Sequence, residues 1–152
     1  MKKYIGTKMI EATPMSRGDY NRYRGWTIPA DENPADEGYL VKYSDGYESW
    51  SPKKQFDEAY RDCMGMTFGI ALELLKKGCK VAREGWNGKG MFLYHVPAAS
   101  YAPCTPMGEE CATDNGKVPY GAYIAMKTAQ GNVVPWLASQ TDMLAEDWAV
   151  VE

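Results

Sequence analysis

The sequence holds one histidine, His95, and none of the short motifs on which hydrolytic or nucleotide-splitting sites are commonly built: no Gly-x-Ser-x-Gly, no His-Glu-x-x-His and no Walker loop. Acid-base chemistry needs a positioned proton donor or acceptor. His95 lies in an apolar strand-like stretch, and Glu109-Glu110 and Glu146-Asp147 read as ordinary adjacent surface acids, so no enzyme activity is expected. The four cysteines, Cys63, Cys79, Cys104 and Cys111, show no Cys-x-x-Cys spacing. Free thiols are expected, with no bound metal or cofactor. No apolar run approaches the roughly 20 residues of a membrane-spanning helix, and Lys2-Lys3 leads into no long apolar stretch, so a cytosolic protein without membrane contact is expected. A formal net charge of -3 lacks the basic excess that coats a nucleic-acid polymer, and an anionic ligand has to find a local basic spot.

What the sequence does have is enough apolar material for a core: 45% apolar and 24% charged residues in 152, room for one or two small domains. Near Cys63-Met64-Gly65-Met66 a polar, tyrosine-rich segment gives way to a strongly apolar helical pattern, dividing an N-terminal region, 1–62, from a domain over 66–152. In the first, Lys8 to Ala12 reads as a strand, and Ser16-Arg17-Gly18-Asp19 has helix-capping spacing ahead of Tyr20 and Tyr23. Pro29 to Gly38 is a loop with four acidic residues and two prolines. Ser44-Asp45-Gly46 between Tyr39–Tyr43 and Tyr47–Trp50 signals a hairpin. Ser51-Pro52 predicts a capped helix with proline in its first position and Phe56, Ala59 and Tyr60 on one side.

In the second part Thr67 reads as an N-cap, Phe68, Ala71, Leu72 and Leu75 follow helical spacing, and Gly78 ends the helix. Ile70 and Leu74 widen the apolar face, which implies a helix enclosed by a curved sheet or another subunit. Strands are expected over 80–83, 91–96, 120–127, 132–136 and 148–151, with a turn at Ala129-Gln130-Gly131 and a short helix from Ser139 to Glu146. Pro97 to Pro119 reads as a long surface insertion.

Two stretches carry the recognition chemistry. In Val81-Ala82-Arg83-Glu84-Gly85-Trp86-Asn87-Gly88-Lys89, an indole, an amide and cations share one glycine-flanked turn. Trp86 there offers a stacking face for a base, or it covers the core while Asn87-Gly88 supplies a left-handed backbone. Arg83 and Lys89 could face phosphates, or form a solvated surface. In Val134-Pro135-Trp136-Leu137-Ala138-Ser139-Gln140-Thr141-Asp142, a second tryptophan precedes four small polar side chains. Ser139, Gln140, Thr141 and Asp142 suit ribose hydroxyls and a base edge, yet Ser139 with Asp142 is also a capping box, and Trp136 is equally a core or interface aromatic.

Those stretches, together with Met66-Thr67-Phe68-Gly69-Ile70-Ala71-Leu72, Tyr123-Ile124-Ala125-Met126-Lys127 and the continuation Met143-Leu144-Ala145-Glu146-Asp147-Trp148, closely resemble the phage Thoeris anti-defence protein two family. The resemblance covers residues 66–152. It implies a non-enzymatic sponge that binds cyclic ADP-ribose isomers made by bacterial TIR-domain enzymes, and holds them intact in the host cytoplasm. Some members also bind cyclic dinucleotides at a separate site. It further implies an α+β subunit whose antiparallel sheet wraps a central helix, a homotetramer with pockets between protomers, and ligand contacts at Trp86, Asn87, Trp136 and Asp142, with Arg83, Ser139, Gln140 and Thr141 beside them. The inferred roles are Trp86 or Trp136 on the adenine face, Asn87 and Asp142 on ribose or base edge, and Arg83 on pyrophosphate. Residues 1–62, a small α+β region, resemble an accessory segment of phage proteins. A nucleotide-degrading enzyme and a phage structural or interaction module are the competing readings.

Overall fold

The computed structural model describes residues 1–152, which divide into two compact units, Met1–Arg61 and Asp62–Glu152. In the first, β1 (Glu11–Pro14), β2 (Gly38–Lys42) and β3 (Glu48–Pro52) form an antiparallel sheet in that order, with α1 (Arg17–Tyr23) and α2 (Lys53–Ala59). Ser16 caps α1 as its spacing predicts, its hydroxyl accepting from the Asp19 amide at 3.1 Å. The β2–β3 hairpin turns at Asp45-Gly46, where Gly46 has φ 83° and the Asp45 carboxylate accepts from the Tyr47 amide. Arg17 and Asn21 both donate to Glu32, and these bonds, Arg17's first, hold its carboxyl down at about 2. That partnership satisfies Asn21, which is 1% exposed.

Two expectations for this unit shift. The first strand starts at Glu11 rather than Lys8, because its partner β2 ends at Lys42, opposite Glu11. Pro52 is not the first residue of α2: it ends β3 and stands at the N-cap with no side-chain cap bond, since the β2–β3 ladder runs through Ser51 and Pro52 before the chain turns. The tyrosine and phenylalanine pattern nonetheless packs α2 on the sheet, with Phe56 stacked on Tyr39 at 3.9 Å between centroids.

The second unit contains β4 (Met64–Met66), α3 (Phe68–Lys76), β5 (Lys80–Arg83), β6 (Phe92–Val96), β7 (Ala99–Tyr101), α4 (Pro106–Glu109), β8 (Val118–Tyr120), β9 (Tyr123–Lys127), β10 (Val133–Pro135), α5 (Gln140–Leu144) and β11 (Trp148–Val151). Six strands make an antiparallel sheet ordered β10-β9-β6-β5-β11-β4, and β7 pairs with β8 separately. The fold is α+β. Helix α3 starts after Thr67 and ends before Gly78 at φ 89°. It contacts β5, β6, β11 and α5, and its Ala71, Leu74 and Leu75 join Met66, Val81, Leu93 and Trp148 in one core. Ile70, expected on the buried face, is 36% exposed, because it lies about 100° around the helix from Ala71 and steps out of the stripe.

The expected strand over 120–127 is broken in two. Tyr120 closes β8 against Ala99, the chain turns through Gly121-Ala122, and β9 begins at Tyr123 opposite Val96. The segment between Pro97 and Pro119 is therefore not an irregular loop but a short hairpin stem carrying α4. All four cysteines are free thiols, and no helix is long and apolar enough to cross a membrane.

Candidate functional site

The two signature stretches meet. Arg83 ends β5, and Trp148 opens β11 directly opposite it in the ladder, so the strand pairing sets the 84–90 turn beside the segment leading out of α5. Phe68, Trp86, Trp136 and Trp148 form one aromatic cluster there. Trp86 lies 5.5 Å from Trp148 and 6.5 Å from Trp136 between ring centroids, and Phe68 lies 5.5 Å from Trp148. Trp148 is fully buried, while Trp86, Trp136 and Phe68 are half-buried around it. Aromatic pairs in tilted and edge arrangements gain about 0.5–1.5 kcal/mol beyond their buried area, so the cluster stabilises the core even where its rim is open.

A polar network borders the cluster. Arg83 donates from Nε to Asp147 Oδ1 at 2.8 Å and from Nη1 to Asp142 Oδ1 at 2.9 Å. Asp142 Oδ1 also accepts from the Trp86 indole N–H at 3.5 Å, and the Trp148 indole N–H donates to the Asp142 carbonyl at 3.0 Å. The other Asp142 oxygen accepts from the Ser139 amide at 3.1 Å, and the Ser139 hydroxyl accepts from the Asp142 amide at 3.0 Å, a reciprocal capping box at the start of α5. Asp142 thus joins a helix start, two indoles and a guanidinium. Ser139 and Asp142 sit together in the cap that their spacing predicts, and Gln140 and Thr141 are exposed in the first turn after it. Asn87 and Lys89 are exposed on the turn itself.

The backbone of that turn differs from its sequence reading. Neither Asn87 nor Gly88 is left-handed; Gly90 takes that role at φ 69°. Gly88 is closely packed: a Cβ there would displace the flexible Met91 side chain and come within 3.1 Å of Ala129 Cβ. Packing against Met91 and Ala129, not turn geometry, sets what a side chain at that position would cost.

Both carboxylates are held below the usual range. For Asp147 the Arg83 bond is the main cause, opposed by burial and helped by the Gly85 amide. For Asp142 burial pushes upward, but the Ser139 hydroxyl, Arg83, the Ser139 amide and the Trp86 indole together outweigh it. The Arg83 guanidinium is correspondingly raised, by Asp147 first and then Asp142. Groups with depressed folded pKa values stabilise fully above the unfolded carboxylate value of about 3.9, and that contribution is lost as pH falls through the folded values. Thermal melts are therefore expected to show stability declining below about pH 4, with a shallower decline in Asp147→Asn, which removes one such group. Equal slopes for the two proteins would contradict this linkage.

Phe68, Asp147 and Trp148 belong to this constellation although sequence reasoning did not place them there. Phe68 was legible only on the apolar face of its helix, Trp148 only as the start of a strand and the end of a family motif, and Asp147 only as one of two adjacent acids. The missing signal is the pairing of β5 with β11, which brings Arg83 beside a carboxylate 64 residues away.

Fold and side chains together define a small α+β domain with an aromatic cluster rimmed by a paired guanidinium and carboxylates. Residues 66–151 match the family model described as the Thoeris anti-defense 2-like domain. A protein of Bacillus phage SP01, Thoeris anti-defense 2, is 44% identical over 86 residues, which span 57% of this chain and 94% of that protein. The chain belongs to the Thoeris anti-defense 2-like family.

Proposed function

We propose that this chain is a phage anti-defence sponge, capturing cyclic ADP-ribose-type immune signals at the Trp86–Trp136 cluster and releasing them chemically unchanged. The observation that carries the reading is the convergence of the two signature stretches: indoles 6.5 Å apart, with the Asp142 carboxylate at the edge of Trp86. An adenine face stacks on the open rim of Trp86 or Trp136, and Asn87, Ser139, Gln140 and Thr141 supply hydroxyl and amide partners for ribose and base edge. Asp142 accepts from the same groups while anchoring the turn. The 66–152 domain does the capturing, and residues 1–62 are an accessory region.

Arg83 takes a different part from a pyrophosphate contact. Its Nε and one N–H of each terminal nitrogen already face Asp147 or Asp142, and one guanidinium between two carboxylates leaves the trio with net negative charge. Lys89, exposed on the same turn, is the better phosphate partner. Assembly as a homotetramer with pockets between protomers gives a place to the apolar side chains left open near the site, among them Leu137 at 91% and Leu144 at 79% exposure.

Sequestration needs affinity, abundance and slow dissociation rather than chemistry. Protein loaded with a cyclic ADP-ribose isomer, washed and heated is expected to release a ligand of unaltered mass. A hydrolysed product would instead establish a nucleotide-degrading enzyme. Calorimetry across a panel of cyclic ADP-ribose isomers and cyclic dinucleotides identifies the linkage. In the same assay Trp86→Ala is expected to weaken capture about tenfold to a hundredfold, the loss of one stacking platform. Wild-type affinity in that variant would displace the site.

A further inference from the structure

We propose that Asp147 is a positioning residue for the ligand turn, acting through Arg83 and the Gly85 backbone without touching the ligand; this rests on the sponge reading above. Its Oδ1 accepts from Arg83 Nε at 2.8 Å, and its Oδ2 accepts from the Gly85 amide at 2.9 Å and from Arg83 Nη2 at 3.4 Å. Its carbonyl accepts from the Glu84 amide at 3.0 Å. One residue therefore fastens three consecutive positions, 83, 84 and 85, immediately ahead of Trp86. The Trp86 amide then closes the turn onto the Arg83 carbonyl at 3.3 Å.

The anchor is rigid because the next residue is Trp148, fully buried and paired across the ladder with Arg83. Motion of the turn is thus referred to the core of the unit. Gly85 is explained by the same contact. Its φ is not left-handed, but a Cβ would lie 2.9 Å from Asp147 Oδ2, an oxygen already tied to Arg83 and to the Gly85 amide. The glycine of this turn admits a carboxylate rather than a strained backbone. Arg83, oriented by Asp147, in turn orients Asp142, whose shared oxygen meets the Trp86 indole N–H.

A residue that prearranges an empty site acts on association, because only the arranged fraction of the protein accepts ligand; a residue that touches ligand acts mainly on dissociation. Rapid-mixing kinetics with the cyclic ADP-ribose panel separate the two for Asp147→Asn, and Gly85→Ala displaces the same carboxylate from the opposite side. Both variants are expected to associate about tenfold more slowly with dissociation nearly unchanged, whereas Trp86→Ala dissociates faster. Hydrogen exchange on ligand-free protein is expected to show the Gly85 amide exchanging about tenfold faster in Asp147→Asn, while the Glu84 amide keeps its main-chain acceptor.

Faster dissociation with unchanged association in Asp147→Asn would make Asp147 a direct ligand contact and overturn the positioning role. Wild-type rates and exchange in both variants would overturn it as well. If wild-type protein binds no member of the panel, the sponge reading falls by itself, and exchange at Gly85 still decides whether the Asp147 carboxylate holds the turn.

Discussion

Trp148→Ala is expected to cost the C-terminal unit a large share of its stability. Trp148 is fully buried, packs its indole against Phe68, Trp86 and Trp136, and donates its N–H to the Asp142 carbonyl at 3.0 Å. Truncating a buried tryptophan costs about 3–5 kcal/mol through lost transfer energy and the cavity left behind. Whole domains are stable by only about 5–15 kcal/mol, so this one change removes a large share of the total. The loss extends to the site, since Trp86 and Trp136 both rest on this ring. Trp148→Phe keeps much of the packing but leaves the Asp142 carbonyl only the Ala145 amide at 3.4 Å, and a smaller loss, about 1 kcal/mol, follows. Denaturant melts of the purified variants check the order. An alanine variant within about 1 kcal/mol of wild type would mean that the cluster is not the keystone of the core.

Asp142→Ala is expected to damage both capture and fold. The carboxylate is the N3 half of the capping box, accepting from the Ser139 amide, and since Ser139 stays as the N-cap its loss costs less than removal of a whole cap, about 1 kcal/mol. It also pairs with Arg83, and the two side chains are 14% and 16% exposed, between the surface limit, where ion pairs contribute little, and the buried limit, where an orphaned charge costs about 3–5 kcal/mol. A total near 2 kcal/mol is expected, together with loss of detectable ligand binding, because the Trp86 indole N–H and the Arg83 guanidinium lose their common acceptor. Parallel chemical melts and calorimetry measure the two effects. Unimpaired binding in a destabilised variant would confine Asp142 to the cap. Trp86→Ala is the cleaner probe of the ligand surface, because Trp86 anchors no helix start.

Local chemistry is what the chain displays openly. Phe68 to Lys76 forms a helix because a helical apolar stripe and a left-handed glycine agree on it, with Thr67 at the N-cap position but making no side-chain cap bond. Asp45-Gly46 turns a hairpin, Ser139 and Asp142 close a capping box, and β5 and β11 keep the limits their alternation indicates. The family resemblance over the C-terminal part also singled out Trp86, Trp136 and Asp142, which the fold gathers around Trp148. Each of these rests on neighbours within a few residues or on the ordered motifs themselves.

Long-range pairing decided the rest. Only the register of β5 against β11 sets Asp147 under the 83–85 backbone, turns Arg83 from a free cation into a bridge between carboxylates, and makes Gly85 a place for an oxygen. Likewise Gly88 yields to Met91 and Ala129 rather than to turn geometry, and Tyr120 joins Ala99 instead of continuing into β9. The sequence by itself determined most of which segments coil or extend, because capping, periodicity and turn preference act over a few residues. The tertiary structure decided which charge meets which, because strands far apart in the chain become neighbours only through the burial of the helix and indoles between them.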